Sequence, residues 1–210
     1  MPYSPHALQV KTAVPADAAE MVEIYRPYVE DTAITFEYAV PSVKEFKQRL
    51  ENVLKRYPWL TVRERENGRM LGYVYASPFK ERAAYEYSVE TSIYVRQDVR
   101  RQGAGRMLYH VLEALLAAQH VINLNACVAY DATEGQDEHL DNASVFFHQQ
   151  MGYTQCAHFH QCGFKFGRWY DMVWLEKMLT EHPLRPELFV PFAKLANVRS
   201  IIAAAVADFR

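Results

Sequence analysis

The chain has 210 residues, half of them hydrophobic, with 23 basic side chains against 25 acidic ones and a formal net charge of −2. That length is ample for a real core, and the near balance of charge excludes a bulk electrostatic pull toward nucleic acid or an anionic membrane. No apolar run approaches the ~20 residues of a membrane span, the opening MPYSPHALQVK has no basic leader before an apolar stretch, and three cysteines (Cys127, Cys156, Cys162) are too few for a disulfide scaffold, so a reduced, cytoplasmic setting is expected.

ALQVKTAV, residues 7–14, alternates apolar and polar side chains and reads as a first strand. Pro15 and Asp17 open a helix over 16–29, with Met21, Ile24 and Tyr25 on one stripe. A loop over 30–41 contains ITFEY. Ser42 is then an N-cap, with Glu45 completing a capping box for a helix that runs to Lys55. WLTVRER (59–65) and RMLGYVYA (69–76) are strands joined across the turn ENG. SPFKERAA is a loop, and YEYSVETSIYV (85–95) is a long strand of β-branched and aromatic residues. A helix over 103–118 turns Met107, Leu108, Val111, Leu112 and Leu115 inward. NLNACVAY (123–130) is a strand, DATEGQDEHLD (131–141) an acidic loop, and ASVFFHQQM (143–151) a short helix closed by Gly152. YTQCAHFH (153–160) and YDMVWLEKM (170–178) are the last strands, on either side of the turn-rich GFKFGRW. Beyond Glu181 come three prolines and a final helix over 191–208, with Pro191 in its first turn and an apolar stripe of Phe192, Leu195, Val198, Ile202 and Val206. This order predicts an α/β fold: one mixed sheet flanked by helices, plus a helical tail.

Chemistry concentrates where the long strand hands over to the helix at 103. A helix N-terminus carries unpaired N–H groups and partial positive charge, and therefore binds anions. Gly103 and Gly105 let a backbone wrap a phosphate, and flanking arginines add charge-assisted hydrogen bonds. Residues 99–106 thus read as a diphosphate cradle made of Arg100, Arg101, Gln102, Gly103, Ala104, Gly105 and Arg106. No Lys-Ser or Lys-Thr follows, so it is not a Walker loop, and Leu108 occupies the third glycine position of a dinucleotide fingerprint. On spacing alone, a surface turn with solvated arginines is the competing reading.

Residues 100–105 resemble the coenzyme A signature of the GNAT acetyltransferase superfamily. RYPWL (56–60), KERAAYEYSVETSIYV (80–95), SVFFHQQMGY (144–153) and GFKFGRWYDMVWLEK (163–177) are similar, in order and spacing, to the phosphinothricin and methionine sulfone (sulfoximine) acetyltransferases. The resemblance covers residues 8–178. It implies a GNAT domain over 1–178 and a helical extension over 179–210. The implied sheet is mixed, mostly antiparallel and splayed at the acetyl-CoA site. Acetyl-CoA would be the co-substrate, transfer direct, the acceptor a small amino-acid-like amine, and the assembly a homodimer.

The same resemblance assigns residues. Glu90 matches the proposed catalytic carboxylate; parity places it with Glu86, Ser88 and Ser92 on one strand face, and an apolar cleft should raise its pKa. A salt-bridged structural glutamate is the alternative. His148 matches a histidine proposed to assist proton transfer, although a lone histidine in a short helix reads equally as structural. The backbone of Ile93, Tyr94 and Val95 matches the strand that pairs with pantetheine and polarises the thioester. Lys80 and Arg82 would hold the acceptor's acidic group, with Phe36 walling its pocket and Tyr85 beside them. Relatives place a pantetheine-binding asparagine seven residues before the histidine; here Asp141 stands there, next to Asn142, with Ser144 opening the helix.

Two features depart from the pattern. The acidic loop carries Asp131, Glu134, Asp137, Glu138 and Asp141, which leaves open a cationic acceptor such as a polyamine or aminoglycoside. A peptide amine, or a non-enzymatic acyl-CoA-binding module, are further readings; Glu90 and the intact cradle stand against the last. In CAHFHQC, Cys156, His158, His160 and Cys162 share one strand face and are all zinc-ligand types. Evenly spaced along a strand they stretch over about 20 Å, too far for one ion to take all four, so no metal is expected.

Overall fold

The computed structural model describes residues 7–99, 101–133 and 135–209. Arg100, inside the predicted cradle, and Glu134, in the acidic loop, lie outside the described residues. The strands are β1 (Leu8–Thr12), β2 (Trp59–Glu64), β3 (Met70–Pro78), β4 (Ser88–Val95), β5 (Asn123–Tyr130), β6 (Thr154–Lys165) and β7 (Arg168–Met178). The helices are α1 (Ala18–Glu30), α2 (Val43–Val53), α3 (Ala104–Ala118), α4 (Ala143–Gln150) and α5 (Val198–Asp208).

All seven strands form one sheet in the order β1-β2-β3-β4-β5-β7-β6. Consecutive strands joined by turns pair antiparallel, whereas β4 and β5 run parallel. A parallel pair needs a crossover, and α3 supplies it. Alternation then divides the apolar residues between two cores. Leu60, Val62, Val74 and Val89 pack against Met107, Leu108, Val111 and Leu115 of α3. Trp59, Met70 and Tyr73 pack against Met21, Ile24 and Tyr25 of α1 and Phe46 and Leu50 of α2. The Ser42 hydroxyl accepts the Glu45 N–H at 3.2 Å, as the capping pattern requires. The Glu45 carboxylate does not reach back; it bonds Arg49 at 2.9 Å.

Three expectations are corrected. The central strand begins at Ser88 rather than Tyr85, because residues 83–85 form a 3-10 turn. GFKFGRW is not a loop. β6 and β7 run on to a two-residue turn at Phe166 and Gly167, both with positive φ (49° and 75°), the twist that tight hairpins need. Gly163 sits inside that strand because the Phe36 ring occupies the place of a side chain: a Cβ there would lie 2.2 Å from it.

The tail helix begins at Val198, not Pro191. Phe192–Lys194 make one 3-10 turn, and Asn197, left-handed at φ 57°, separates it from α5. The tail folds back on its own chain. Gln119 Nε2 donates to the carbonyls of Arg56 and Val190, both at 2.7 Å, and Phe192 N–H bonds Arg56 O at 2.9 Å. Phe189, Phe192, Ile202 and Ala205 join the α3 core.

Candidate active site

The β4–β5 ladder is short. It pairs Ser88 with Asn123, Val89 with Leu124 and Glu90 with Asn125, and stops. Beyond it β4 stays with β3 as far as Val95, and β5 stays with β7 as far as Tyr130. Residues 91–95 and 126–130 therefore diverge and leave a notch in mid-sheet. Arg96 N–H bonds Leu71 O at 2.8 Å, so by alternation the main chain of Tyr94 faces β3 while Ile93 and Val95 face the notch. Val95 is already engaged: its carbonyl accepts the Tyr28 hydroxyl at 2.5 Å, and its N–H meets the same oxygen at 3.3 Å. Of the three residues expected to offer backbone to pantetheine, Ile93 alone keeps its edge toward the notch. The Tyr94 ring packs among Tyr25, Tyr28 and Tyr73.

The N-terminus of α3 stands beside the notch. Gly103, its N-cap, has φ 92°, which favours glycine, and a Cβ there would meet nothing within 4 Å. Among the described residues no side chain caps this end, and Met107 N–H bonds back to Gly103 O at 3.1 Å, so the amides of Ala104 and Gly105 stand ahead of the ladder. A Cβ on Gly105 would lie 3.4 Å from both Ile93 Cδ1 and the Phe147 ring, so cradle and notch are in direct contact. Arg101 is exposed in a left-handed conformation, Gln102 Nε2 lies 3.5 Å from Asp98 O, and the Arg106 guanidinium sits 5.7 Å from the Phe209 ring of the tail.

The opposite face of β4 carries Glu90, Ser92 and Tyr94, across from Ser77, Tyr75 and Tyr73 of β3. A cavity of about 370 Å³ opens there, walled by Tyr25, Phe46, Trp59, Tyr75 and Tyr94, with Arg49 held by Glu37 at 2.6 Å and Glu45 at 2.9 Å. Burial pushes the Glu90 carboxyl above the usual carboxylate range, and the Lys80 charge partly offsets this. Among the described residues nothing hydrogen-bonds the Glu90 carboxylate. The neighbouring Cys127 thiol is pushed up to about 12 by burial and then by Glu90, so it stays neutral.

His148 lies on the other side of the sheet, 3% exposed. Its Nδ1–H donates to Ser144 O at 2.7 Å, so Nε2 accepts the Tyr109 hydroxyl at 2.8 Å. Tyr109 in turn meets Thr91 Oγ1 at 3.0 Å. Burial drives the imidazole pKa down to about 4, only partly opposed by the Ser144 bond.

This chain matches the family described as "Acetyltransferase (GNAT) domain" over residues 10–174. It belongs to the GNAT acetyltransferase family. It is 31% identical over 180 residues to a phosphinothricin N-acetyltransferase of Streptomyces viridochromogenes, covering 85% of this chain and 92% of the relative. It is 30% identical over 178 residues to an L-methionine sulfoximine/L-methionine sulfone acetyltransferase of Salmonella typhimurium, covering 83% and 96%. Among solved structures, a GNAT phosphinothricin acetyltransferase from Sinorhizobium meliloti in complex with AcCoA superposes with a TM-score of 0.78 at 28% identity, over 91% of this chain and all of that one.

Within this GNAT fold the residues expected to face the acceptor fall into two groups. Lys80 is exposed, 4.9 Å from the Phe79 ring and 5.7 Å from that of Trp174, and electrostatically coupled to Glu90. Tyr85 meets Phe79 at 5.9 Å. Arg82 is exposed before the 3-10 turn and makes no ion pair among the described residues. Phe36 lies apart, over Gly163 and 6.3 Å from the Tyr170 ring.

Local sequence gave no warning of what holds Phe36. The buried Lys165 ammonium donates to the carbonyls of Val29 (2.8 Å), Thr32 (2.7 Å) and Thr35 (2.8 Å), closing the end of α1 and the loop after it. The one hint is a lysine between Phe164 and Phe166.

The acidic loop and the start of α4 are tied up internally. Asn142 Oδ1 and Nδ2 clasp the Asp131 backbone at 2.9 and 3.0 Å, and Asp141 Oδ1 accepts Ala143 N–H at 3.1 Å. Both residues expected to reach pantetheine thus also close the loop. Asp131 accepts the N–H groups of Thr133 and Gly135, and Asp137 pairs with Arg168. Main-chain amides thus solvate Asp131, which stays ionised, and Arg168 of β7 offsets the charge of Asp137, which weakens the loop as a cation site.

Proposed function

We propose that this acetyltransferase moves the acetyl group of acetyl-CoA directly to the amine of a small amino-acid-like acceptor, of the phosphinothricin or methionine sulfoximine type. The observation that carries this is the ending of the β4–β5 ladder at Glu90, which opens the sheet beside the uncapped N-terminus of α3. The α3 amides, with Arg100, Arg101 and Arg106, would bind the diphosphate, and the free edge of Ile93 would take pantetheine and polarise the carbonyl. Glu90, with its raised pKa, takes the ammonium proton; the neutral amine attacks the thioester carbonyl, the C–N bond forms, the C–S bond breaks, and coenzyme A leaves as the thiol with the second amine proton. Lys80 and Arg82 hold the acceptor's acidic group. His148, neutral and facing Tyr109, positions α4 rather than donating a proton.

We further infer a cytoplasmic homodimer. Three free thiols suit a reducing compartment, and the exposed cross-strand pair Phe164–Trp169, on the hairpin that ends the sheet, suits a second copy. Thiol release from acetyl-CoA over an amine panel tests the activity. Phosphinothricin, methionine sulfoximine or methionine sulfone should outpace spermidine and an aminoglycoside; the reverse order would overturn the acceptor class. Light scattering tests the dimer, and a monomer would refute it.

A further inference from the structure

Evenly pleated, β6 would carry His158 and His160 past β7 in a straight row. The strand is not evenly pleated. Phe159 pairs with Met172 and Gly163 with Tyr170, so His160, Gln161 and Cys162 all face the single residue Asp171. Gln161 absorbs the extra length in a left-handed conformation, φ 47°. Asp171, buried on β7, fastens the bulge: Oδ1 accepts Gln161 N–H at 2.8 Å and Oδ2 accepts from His158 Nε2 at 2.7 Å. The His160 ring stacks on that of His158 with centroids 4.2 Å apart, and Tyr130 packs against His158 at 5.2 Å. One ligand atom from each of His158, His160 and Asp171 lies within 4.8 Å of the other two.

We propose that these three residues form a zinc site. Zinc bound tetrahedrally at 2.0–2.2 Å separates its ligand atoms by about 3.4 Å. The His158–Asp171 contact, 2.7 Å, has to widen, and the exposed His160 ring has to turn inward. Two imidazoles and a carboxylate suit a late first-row divalent ion better than magnesium or calcium, which prefer all-oxygen sets. The ion replaces the proton shared by His158 and Asp171, and water fills the fourth position. Cys156 and Cys162 take no part: their thiols turn to Trp174 O and Phe159 O. The bulge ends at Gly163, which receives Phe36, so the metal rivets the strand that carries one side of the acceptor region. The site stands independently of the acetyl-transfer reading.

The test is a zinc titration of the full chain, freed of metal with a chelator, against a chromophoric competitor. Wild type and the Cys156→Ser/Cys162→Ser double variant should each bind one zinc per chain. His160→Ala and Asp171→Asn should bind at least about tenfold more weakly. Zinc should raise the melting temperature of wild type and not that of His160→Ala, whose exposed side chain can be removed without harm to folding. No saturable binding by wild type, binding lost with the two cysteines, or unchanged affinity in both His160→Ala and Asp171→Asn overturns the proposal.

Discussion

Acidification should unfold this protein partly through one side chain. His148 is buried, and its pKa is driven down to about 4 from an ordinary 6.5. The unfolded chain binds the proton more readily, so the neutral ring contributes stability that is fully present above pH 6.5 and is lost as pH falls toward 4. Each unit of difference is worth about 1.4 kcal/mol, which sets a ceiling of about 3 kcal/mol, with roughly 2 kcal/mol of it lost between pH 7 and pH 5. His148→Gln keeps an acceptor for Tyr109 and cannot titrate. Urea unfolding of both proteins at pH 7 and pH 5 separates this residue from the carboxylates they share. Wild type should lose about 2 kcal/mol more than the variant over that interval. Parallel losses, or an imidazole titrating near 6.5 by NMR, would refute the reasoning and restore His148 as a proton donor near neutrality.

Glu90→Gln should lower turnover by about 10²-fold or more with acetyl-CoA affinity unchanged, and recover partly at high pH, where the amine is already neutral. Because burial raises the Glu90 pKa, the charged carboxylate weakens the fold above the unfolded pKa; the variant should melt higher at neutral pH, by a margin that shrinks as pH falls toward 4. Gly103→Glu places a strained residue and a negative charge at the anion site, and calorimetry should show at least about a tenfold loss of acetyl-CoA affinity in a folded variant. Lys165→Met orphans three carbonyls, at a cost of about 1–3 kcal/mol each where they stay buried, and should raise KM for the acceptor while leaving KM for acetyl-CoA alone. Truncation after Met178 removes Phe189, Phe192 and Ile202 from the core, each worth about 1.5–3 kcal/mol; a truncated chain that melts like wild type would show that the tail packs elsewhere.

What the sequence made legible is what local pattern encodes. The alternation of β1, the turn between β2 and β3, the Ser42 cap and the α3 stripe depend on neighbours a few residues apart, and each appears where its local pattern puts it. The glycine and arginine signal at the strand-to-helix junction is equally local. The rest depends on contacts between distant segments. Gly163 looks like a turn residue, and only Phe36, 127 positions earlier, makes it a strand residue. Lys165 looks like a surface charge until the end of α1 offers it three carbonyls. Cys156, His158, His160 and Cys162 were spaced as on a regular strand, and a bulge whose cause lies on β7 changed which of them converge. The α5 boundary is not legible in the sequence, because nothing in the stripe marks Asn197 as left-handed.

Strand β4 explains why so much chemistry reads from so short a stretch. Its side chains alternate, so Val89, Thr91 and Ile93 face α3 and α4 while Glu90, Ser92 and Tyr94 share the opposite face, on which Tyr94 lines the aromatic cavity. Packing and the carboxyl with a raised pKa thereby fall on opposite faces of the same eight residues. The backbone edge provides a third surface, and it is free because β5 leaves the ladder after Asn125. A half-buried carboxylate on one face, a packed wall on the other and an open amide edge between them lie on one strand, with the α3 N-terminus at its far end. A shift of one residue in the register of β4 would move Glu90 into the α3 core and turn the free edge toward β3. The seven-residue register with β3, from Val89 to Val95, is what prevents that slip, and the aromatic stack of Trp59, Tyr73, Tyr75 and Tyr94 holds the register on the cavity side.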